Sequence, residues 1–309
     1  MPSAQPKGRE SVHAVSVEGA PLTQQTCKAR LAGQSHEFTL SAKTLSGRLV
    51  PITVFAPLES GRYPLAVFSH GAFAAPDRYR AMLAPIAAAG FIVVTPMHID
   101  SEDFDDDIPP TQSDIWLTRN ADMALALNPP SSITKRLSDC GLTIDQERTV
   151  AIGHSYGALV AQLTAGAKAI ESADALTDRR NLGVSAVVGW SPPGPMPGVI
   201  TKQGWSSLAV PALTITGTKD VFPGFVDDWR SHTTSYENGP SGLSSLWVGE
   251  GVDHYFGGMF GREKPADAVS QRMFEQALAK SLEFLEHGVN VANPCLLSDP
   301  IQGETRSEK

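Results

Sequence analysis

Cysteine is scarce in this chain. Its 309 residues include three cysteines, Cys27, Cys140 and Cys295, which lie far apart and form no Cys-X-X-Cys pair. Thiols so few and so scattered are not expected to build a zinc site or a disulfide framework. At most one disulfide is possible, and buried free thiols are the expected state.

Positive charge is the second deficit. The chain carries 25 Lys and Arg against 33 Asp and Glu, which gives a formal net charge of −8 at pH 7. Phosphate groups repel such a chain, so neither nucleic acid nor an anionic membrane surface is expected as a partner. A neutral or weakly charged small molecule fits better.

Long apolar segments are missing as well. No run is long and apolar enough to span a bilayer, so no membrane span is expected. Charged residues interrupt the first 33 residues, where no apolar stretch of signal-peptide length occurs. The sequence therefore predicts a cytoplasmic protein. A secreted or periplasmic protein whose signal has already been removed is the alternative.

What the chain does contain is an alternation of β-type and helical patterns. Short β-branched or apolar runs predict strands at residues 37–40, 50–55, 65–68, 91–94, 149–152, 185–189, 211–215 and 246–248. Helical spacing covers residues 79–89, 113–127 with Ser113 as cap, 158–170, and 266–287 with Gly288 as stop. This alternation predicts an α/β fold with a doubly wound, mostly parallel sheet of about eight strands.

The same pattern predicts one domain. Residues 34–290 are expected to form the catalytic domain, between a polar N-terminal arm at 1–33 and a C-terminal tail at 291–309. Short spacings after Trp190 leave room for a minimal lid or none.

One motif dominates the interpretation. Residues Gly153–Gly157 read Gly-His-Ser-Tyr-Gly, after an apolar strand-like run and before a helical run of small residues. A strand that enters a helix through so tight a turn leaves no room for a Cβ at either outer position, and it exposes a strained serine. Ser155 is therefore the predicted nucleophile. A Gly/Ser turn of purely structural purpose is the alternative.

A serine nucleophile needs a base and a carboxylate that orients the base. His254 follows the last predicted strand and comes after Asp220, so the chain order is nucleophile, acid, base, as this motif requires. We therefore predict Asp220 as the acid and His254 as the base. Asp253 is a weaker candidate, because neighbouring side chains in an extended loop point apart.

Backbone N–H groups of Ala72 and Tyr156 are the predicted oxyanion donors. Ala72 follows the His70-Gly71 turn, and Tyr156 opens the helix after the nucleophile. Among the aromatic residues near strand ends, Phe73 and Trp190 are the expected lining of the substrate pocket.

An acidic segment raises the question of a metal. Asp103, Asp105 and Asp107 alternate like the start of a calcium loop, but Ile108 stands where glycine is needed and Asp114 where glutamate belongs. A solvated loop at the rim of the site is the expectation, and cation binding by this loop stays open. No cofactor is expected.

Several segments together resemble a known family. Residues 67–71, residues 91–96, Arg119 with Asp122, and residues 153–158 are similar to the dienelactone-hydrolase-like branch of the α/β-hydrolases. They resemble in particular bacterial proteins related to platelet-activating-factor acetylhydrolase. The resemblance implies the α/β-hydrolase fold and a cofactor-free carboxylic-ester hydrolase for small or short-acyl esters.

Two departures refine that resemblance. Dienelactone hydrolases use cysteine where Ser155 stands, which argues against their substrate. In the acetylhydrolase the acid follows the strand after the nucleophile, where this chain has Trp190-Ser191. The acid role therefore passes to Asp220, as in polyester hydrolases and cutinases, which also place a tryptophan near the position of Trp190.

The sequence thus predicts a serine esterase that forms an acyl-enzyme on small, short-acyl or aromatic esters. A polyester or cutinase-like hydrolase and a phospholipid-type acetylhydrolase remain alternatives. Two further alternatives are a serine peptidase and a non-catalytic ligand-binding protein on the hydrolase scaffold. The expected partner is a small-molecule ester, and the sequence predicts no oligomeric state.

Overall fold

The structure, a computed structural model, describes residues 34–104, 112–172, 175–178, 183–260 and 267–289. Its strands are β1 (His36–Lys43), β2 (Leu49–Ala56), β3 (Gly61–Ser69), β4 (Ile92–Pro96), β5 (Leu142–His154), β6 (Lys168–Ser172), β7 (Ala175–Asp178), β8 (Val184–Trp190), β9 (Ala212–Lys219) and β10 (Ser244–Asp253). Eight of them form one sheet in the order β1-β2-β4-β3-β5-β8-β9-β10, and β6 and β7 form a separate hairpin.

Strand direction separates the start of the sheet from the rest. β1 pairs with β2, and β2 with β4, in antiparallel fashion. Every later pairing in this sheet is parallel. The last six residues of β3 and six of the seven residues of β8 are buried, as expected of parallel strands covered on both faces. The predicted doubly wound, mostly parallel sheet of about eight strands is confirmed.

Helices cover both faces. The described α-helices are α1 (Arg80–Ala88), α2 (Gln112–Leu127), α3 (Ser131–Asp139), α4 (Tyr156–Thr164), α5 (Thr234–Asn238) and α6 (Ala268–Gly288). Met123 of α2, Ile133 of α3 and Leu159 of α4 belong to the core on one face. Leu83 of α1 and Leu282 of α6 belong to the core on the other. Among the described residues no helix is both long and apolar enough to cross a membrane.

The structure corrects several predicted helix limits. The run predicted as helical to Ile170 leaves the helix after Thr164, because Gly166 adopts a φ of +118° and the chain then enters β6. Helix α2 begins at Gln112, so Ser113 lies within the helix rather than at its cap. Helix α6 includes Gly288 as its last residue, whereas the sequence predicted an end at residue 287. Helix α3 was not predicted; its buried Ile133 and Leu137 are four residues apart, on one face.

The segments after β8 and β9 are short. Residues 191–211 contain a 3₁₀ turn at Lys202–Ser207, and residues 220–243 contain a 3₁₀ turn at Trp229–Thr233 followed by α5. Neither segment holds a lid domain. The predicted arm and tail lie outside the described residues, as do Cys27 and Cys295, whereas Cys140 is a free thiol.

The turn from β5 into α4 brings three backbone segments into close contact. A Cβ on Gly153 would lie 2.1 Å from the carbonyl oxygen of Gly157, and a Cβ on Gly157 would lie 2.0 Å from the carbonyl oxygen of Ser69. Real side chains do not tolerate such distances, so both positions need glycine. The start of α4 can therefore lie directly against the end of β3, which precedes the predicted oxyanion loop.

We expect Gly157→Ala to lower the free energy of unfolding by about 3 kcal/mol or more, because the methyl group overlaps backbone atoms that cannot move aside. Gly198→Ala is the control. Its φ is +74° and nothing lies within 4 Å of the added carbon. It should cost only about 1 kcal/mol of backbone strain. Urea unfolding followed by tryptophan fluorescence measures both, and equal small losses would show that α4 does not depend on this approach.

Candidate active site

Ser155 has a backbone conformation that side chains rarely adopt. Its φ is 53° and its ψ is −125°, and its N–H donates to the carbonyl oxygen of Trp190 at 2.8 Å. Such conformations cost about 1–3 kcal/mol and persist only where the surrounding structure enforces them. Tyr156 is the first residue of α4, so its N–H belongs to the helix end whose amides have no acceptor within the helix. The strained turn that the motif predicts is present.

The side chains predicted as nucleophile, base and acid are in contact. His254 follows β10, and its Nε2 lies 3.0 Å from the Oγ of Ser155. Its Nδ1 lies 2.7 Å from Oδ1 of Asp220, which follows β9. A carboxylate accepts hydrogen bonds, so Nδ1 carries the proton and Nε2 is free to accept the hydroxyl proton of Ser155. In the chain, His254 is 34 positions from Asp220 and 99 positions from Ser155, so the fold brings the three together.

Asp220 is held as an anion although it is buried. Its other oxygen, Oδ2, accepts the hydroxyl of Thr216 at 2.7 Å. Burial alone would raise the pKa of this carboxyl, but the hydrogen bond from His254 and the close ion-pair contact of His232 outweigh burial and hold the pKa far below its usual range. His232 was not predicted as part of this site.

Asp253, the weaker candidate for the acid, forms hydrogen bonds with the backbone. One of its carboxylate oxygens accepts the N–H groups of Tyr255 at 3.1 Å and Gly257 at 2.8 Å. It shapes the turn that follows β10, whereas Nδ1 of His254 has Asp220 as its carboxylate partner.

A chain of buried hydrogen bonds joins the predicted oxyanion loop to the His254 loop. The N–H of Gly71 donates to the hydroxyl of Tyr79 at 2.9 Å, and that hydroxyl lies 2.9 Å from Nδ1 of His154. His154 Nε2 lies 2.9 Å from the carbonyl oxygen of His254. Since a carbonyl can only accept, His154 carries its proton on Nε2 and accepts from Tyr79. Burial lowers the pKa of His154 to about 3, so the ring is neutral.

Arg119 stabilises the predicted oxyanion loop through hydrogen bonds to its backbone. Its guanidinium donates to the carbonyl oxygens of His70 at 2.5 Å and Gly71 at 3.0 Å. It also makes two hydrogen bonds of 2.8 Å to the carboxylate of Asp100. Its Cζ lies 4.9 Å from the ring centre of Tyr156. One buried side chain therefore contacts both segments that carry the predicted oxyanion donors.

Two more histidines complete this buried network. The Nε2 of His70 accepts the backbone N–H of His98 at 2.9 Å. The ring of His98 lies between Ser69 Oγ at 2.8 Å and Asp122 Oδ2 at 3.0 Å. Burial lowers the pKa of both histidines well below the usual value. They are therefore neutral residues that support the loop through hydrogen bonds.

Ser155 and His254 open into a cavity of about 730 Å³. Ala72 and Tyr156 lie on its wall, where the oxyanion prediction needs them. Phe73 also lines it, with a φ of 61° and an exposed fraction of 60%. Further apolar lining comes from Ile115, Met196, Phe222, Phe225 and Val226. A cleft with apolar walls and a few polar groups is the usual form of a small-molecule site.

The pocket role predicted for Trp190 is wrong. Its side chain is completely buried and packs on Phe256, Phe260 and Phe274, with ring centres 4.7, 5.6 and 5.8 Å away. As the last residue of β8, it directs its ring to the face of the sheet that α6 covers. Only its carbonyl group reaches the site, where it fixes the amide of Ser155. Phe222 and Tyr255, also near strand ends, do line the cavity.

Two groups of residues bear on metal binding. Asp105 and Asp107 lie outside the described residues, and Asp103 is exposed near Arg78. Asp220, His232 and His254 offer three clustered ligand atoms. However, Nδ1 of His254 and Nε2 of His232 lie only 2.7 and 2.9 Å from the same carboxylate oxygen, Oδ1 of Asp220. Atoms bound to one tetrahedral zinc ion stand about 3.3 Å apart. The cluster is spaced for hydrogen bonds and ion pairs.

The sheet order, the strained serine after β5 and the contacting histidine after the last strand define an α/β-hydrolase. The chain belongs to the chlorophyllase family, whose family model matches residues 24–213, more than half of its length. In fold it is similar to a putative dienelactone hydrolase from Klebsiella pneumoniae subsp. pneumoniae MGH 78578. That match has a TM-score of 0.56 at 14% identity and covers 82% of this chain and 98% of the other. No curated protein matches the sequence.

We expect Arg119→Met to lower the free energy of unfolding by about 3–5 kcal/mol, because it leaves Asp100 buried without its cation. Arg62→Met is the matched control. Arg62 also contacts an aspartate, Asp145, at 2.8 Å, but its side chain is 60% exposed. Its loss should cost less than about 1 kcal/mol. Urea titrations of both variants test the difference, and equal losses would contradict a supporting role for Arg119.

Proposed function

We propose that this protein is a serine carboxylic-ester hydrolase that works through an acyl-enzyme. The observation that carries the proposal is the hydrogen-bonded series Ser155 Oγ, His254 Nε2, His254 Nδ1 and Asp220 Oδ1, with distances of 3.0 and 2.7 Å, at the wall of an apolar cavity. The serine hydroxyl is activated only where such a base and such a carboxylate are in place. Membership of an α/β-hydrolase family agrees with this reading.

The reaction proceeds in two halves. Ser155 Oγ attacks the ester carbonyl carbon while its proton passes to Nε2 of His254, and Asp220 stabilises the imidazolium. The N–H groups of Ala72 and Tyr156 stabilise the oxyanion. When the C–O bond breaks, His254 gives the proton to the leaving alcohol. Water then attacks the acyl-enzyme by the same route, which releases the acid and restores Ser155.

The cavity bears on the substrate class. Apolar walls and the exposed ring of Phe73 suit short acyl chains and aromatic esters. Phe222 and Phe225 are also partly exposed beside the cavity, which keeps polymeric and phospholipid-type esters as alternatives. The family's name adds chlorophyll to the esters worth assaying.

The other readings fit the site less well. A ligand-binding protein has no need for a serine, histidine and aspartate in hydrogen-bond series or for a strained serine backbone. A peptidase needs a surface that recognises the peptide chain, and the short segments after β8 and β9 supply no added domain.

We expect Ser155→Ala to lower turnover of p-nitrophenyl acetate and butyrate by a factor on the order of 10⁵ to 10⁶, because the nucleophile is lost. The variant should also lose covalent labelling by a fluorophosphonate probe. If wild type and variant hydrolyse these esters equally slowly, the proposal that the protein is an ester hydrolase is wrong. Tight ligand binding without labelling of the wild type would favour the binding protein, and hydrolysis of peptide amides would favour the peptidase.

We expect Asp220→Asn to lower turnover by about 10⁴-fold, because an amide cannot hold His254 in the tautomer that accepts the proton of Ser155. Asp253→Asn is the control. Asp253 is also a carboxylate beside the site, but it bonds backbone amides. It should change turnover far less. Circular dichroism checks that both variants are folded. A near-normal rate for Asp220→Asn with a collapse for Asp253→Asn would reverse the assignment.

A further inference from the structure

His232 approaches the same carboxylate oxygen as His254. It lies in the 3₁₀ turn Trp229–Thr233, and its side chain is almost completely buried. Its Nε2 is 2.9 Å from Oδ1 of Asp220. The two imidazole rings are 5.5 Å apart, with 31° between their planes. The approach of Nε2 is an ion-pair contact, since this atom has no well-aligned hydrogen-bond acceptor.

The atoms that face the two ring nitrogens of His232 determine its charge. Its Nδ1 lies 2.9 Å from the carbonyl oxygen of Pro192, which can only accept a hydrogen bond. Its Nε2 faces a carboxylate, which also can only accept. A neutral ring has one proton, so one lone pair would point at an oxygen. Only the doubly protonated ring suits both neighbours.

His154 is the internal comparison. It is equally buried, but its nitrogens face a carbonyl oxygen and the hydroxyl of Tyr79, which can donate. A neutral ring satisfies that pair. Burial would lower the pKa of His232 as well, but the carboxylate of Asp220 and the carbonyl of Pro192 outweigh it and raise the pKa. The neighbours of the two buried rings therefore favour opposite charge states.

Other charged groups near His232 do not change this assignment. On its own 3₁₀ turn, Asp228 and Arg230 are exposed and paired with each other at 3.2 Å. From α5, Glu237 accepts the hydroxyl of Thr233. His154, the last residue of β5, is neutral and adds no charge. Asp220 and His254 are the groups in direct contact.

We propose that His232 is held as an imidazolium that shares Asp220 with His254, and that its charge keeps His254 unprotonated, and able to act as the base, into more acidic solution. Asp220 alone would attract a proton to His254 in the resting enzyme, where a protonated ring cannot accept from Ser155. The positive charge of His232, at the same carboxylate oxygen, offsets that attraction. His232 is a positioning residue that acts through Asp220. This inference rests on the proposed ester hydrolase.

The pH profile of kcat/KM for p-nitrophenyl acetate tests the proposal. In His232→Gln, which keeps a hydrogen-bond donor but loses the charge, the midpoint of the acid limb should rise by about one pH unit. Activity well below that midpoint should fall about tenfold relative to wild type, because one pH unit is a tenfold change in the unprotonated fraction. The plateau at higher pH should change much less.

Arg230→Gln is the matched control. It removes one positive charge from the same turn, at a side chain that is 69% exposed, where solvent screens it. Its acid limb should coincide with that of wild type. A loss of activity in His232→Gln that is uniform across pH, with an unmoved midpoint, would overturn the proposal, because a purely structural defect behaves in that way.

A second measurement is independent of activity. In wild-type protein with ¹⁵N-labelled histidine, imidazole spectra at pH 7.5 should show one ring with both nitrogens protonated, and this signal should be absent from His232→Gln. Absence of such a ring from wild type would overturn the proposal. If wild type hydrolyses no ester, the proposed function fails, and the spectra still decide the charge of His232.

Discussion

The contact of Gly157 with the end of β3 is the constraint on which the site depends. Because the Cα of Gly157 carries no side chain, α4 starts directly against the carbonyl groups of Ser69 and His70. This contact sets the N–H of Tyr156 beside the loop that contains Ala72. It also fixes Ser155 between β5 and β8, where the carbonyl of Trp190 holds its amide. The strain in Ser155 persists because neither neighbouring strand end can move away.

Buried polar groups then stabilise the loops around that contact. Arg119 packs against the predicted oxyanion loop and neutralises Asp100. Burial would raise the pKa of Asp100, but the charge of Arg119 outweighs burial and lowers the pKa to about 2. Tyr79 and His154 join the predicted oxyanion loop to the His254 loop. Each buried charge has a partner and each buried ring nitrogen of His154 has a suitable neighbour, so the network costs less than the same groups unpaired. These hydrogen bonds therefore stabilise the positions of the loops beside Ser155 and His254.

The sequence predicted those features that local patterns encode. The glycine spacing around Ser155 and the apolar strands are local, and the order of Ser155, Asp220 and His254 follows from the motif, so the fold and the contacts of these three side chains could be foreseen. Trp190 could not be placed, because its position at a strand end does not say which face its ring takes. His232 and Tyr79 gave no signal, since they reach the site only through packing of a 3₁₀ turn and of the chain before α1.

Charge balance explains why the unforeseen residue matters. Asp220 is buried and held as an anion, so without a cation beside it the site would hold an uncompensated charge, which is costly away from water. With His232 as its cation, the resting site is balanced. In the proposed reaction, transfer of the proton from Ser155 to His254 creates one new cation, and the matching negative charge develops on the ester oxygen beside Ala72 and Tyr156. The proposal assigns the stabilisation of these two charges to the amide groups and to Asp220. Because the charges exist only as the reaction proceeds, their stabilisation would accelerate the reaction rather than strengthen substrate binding.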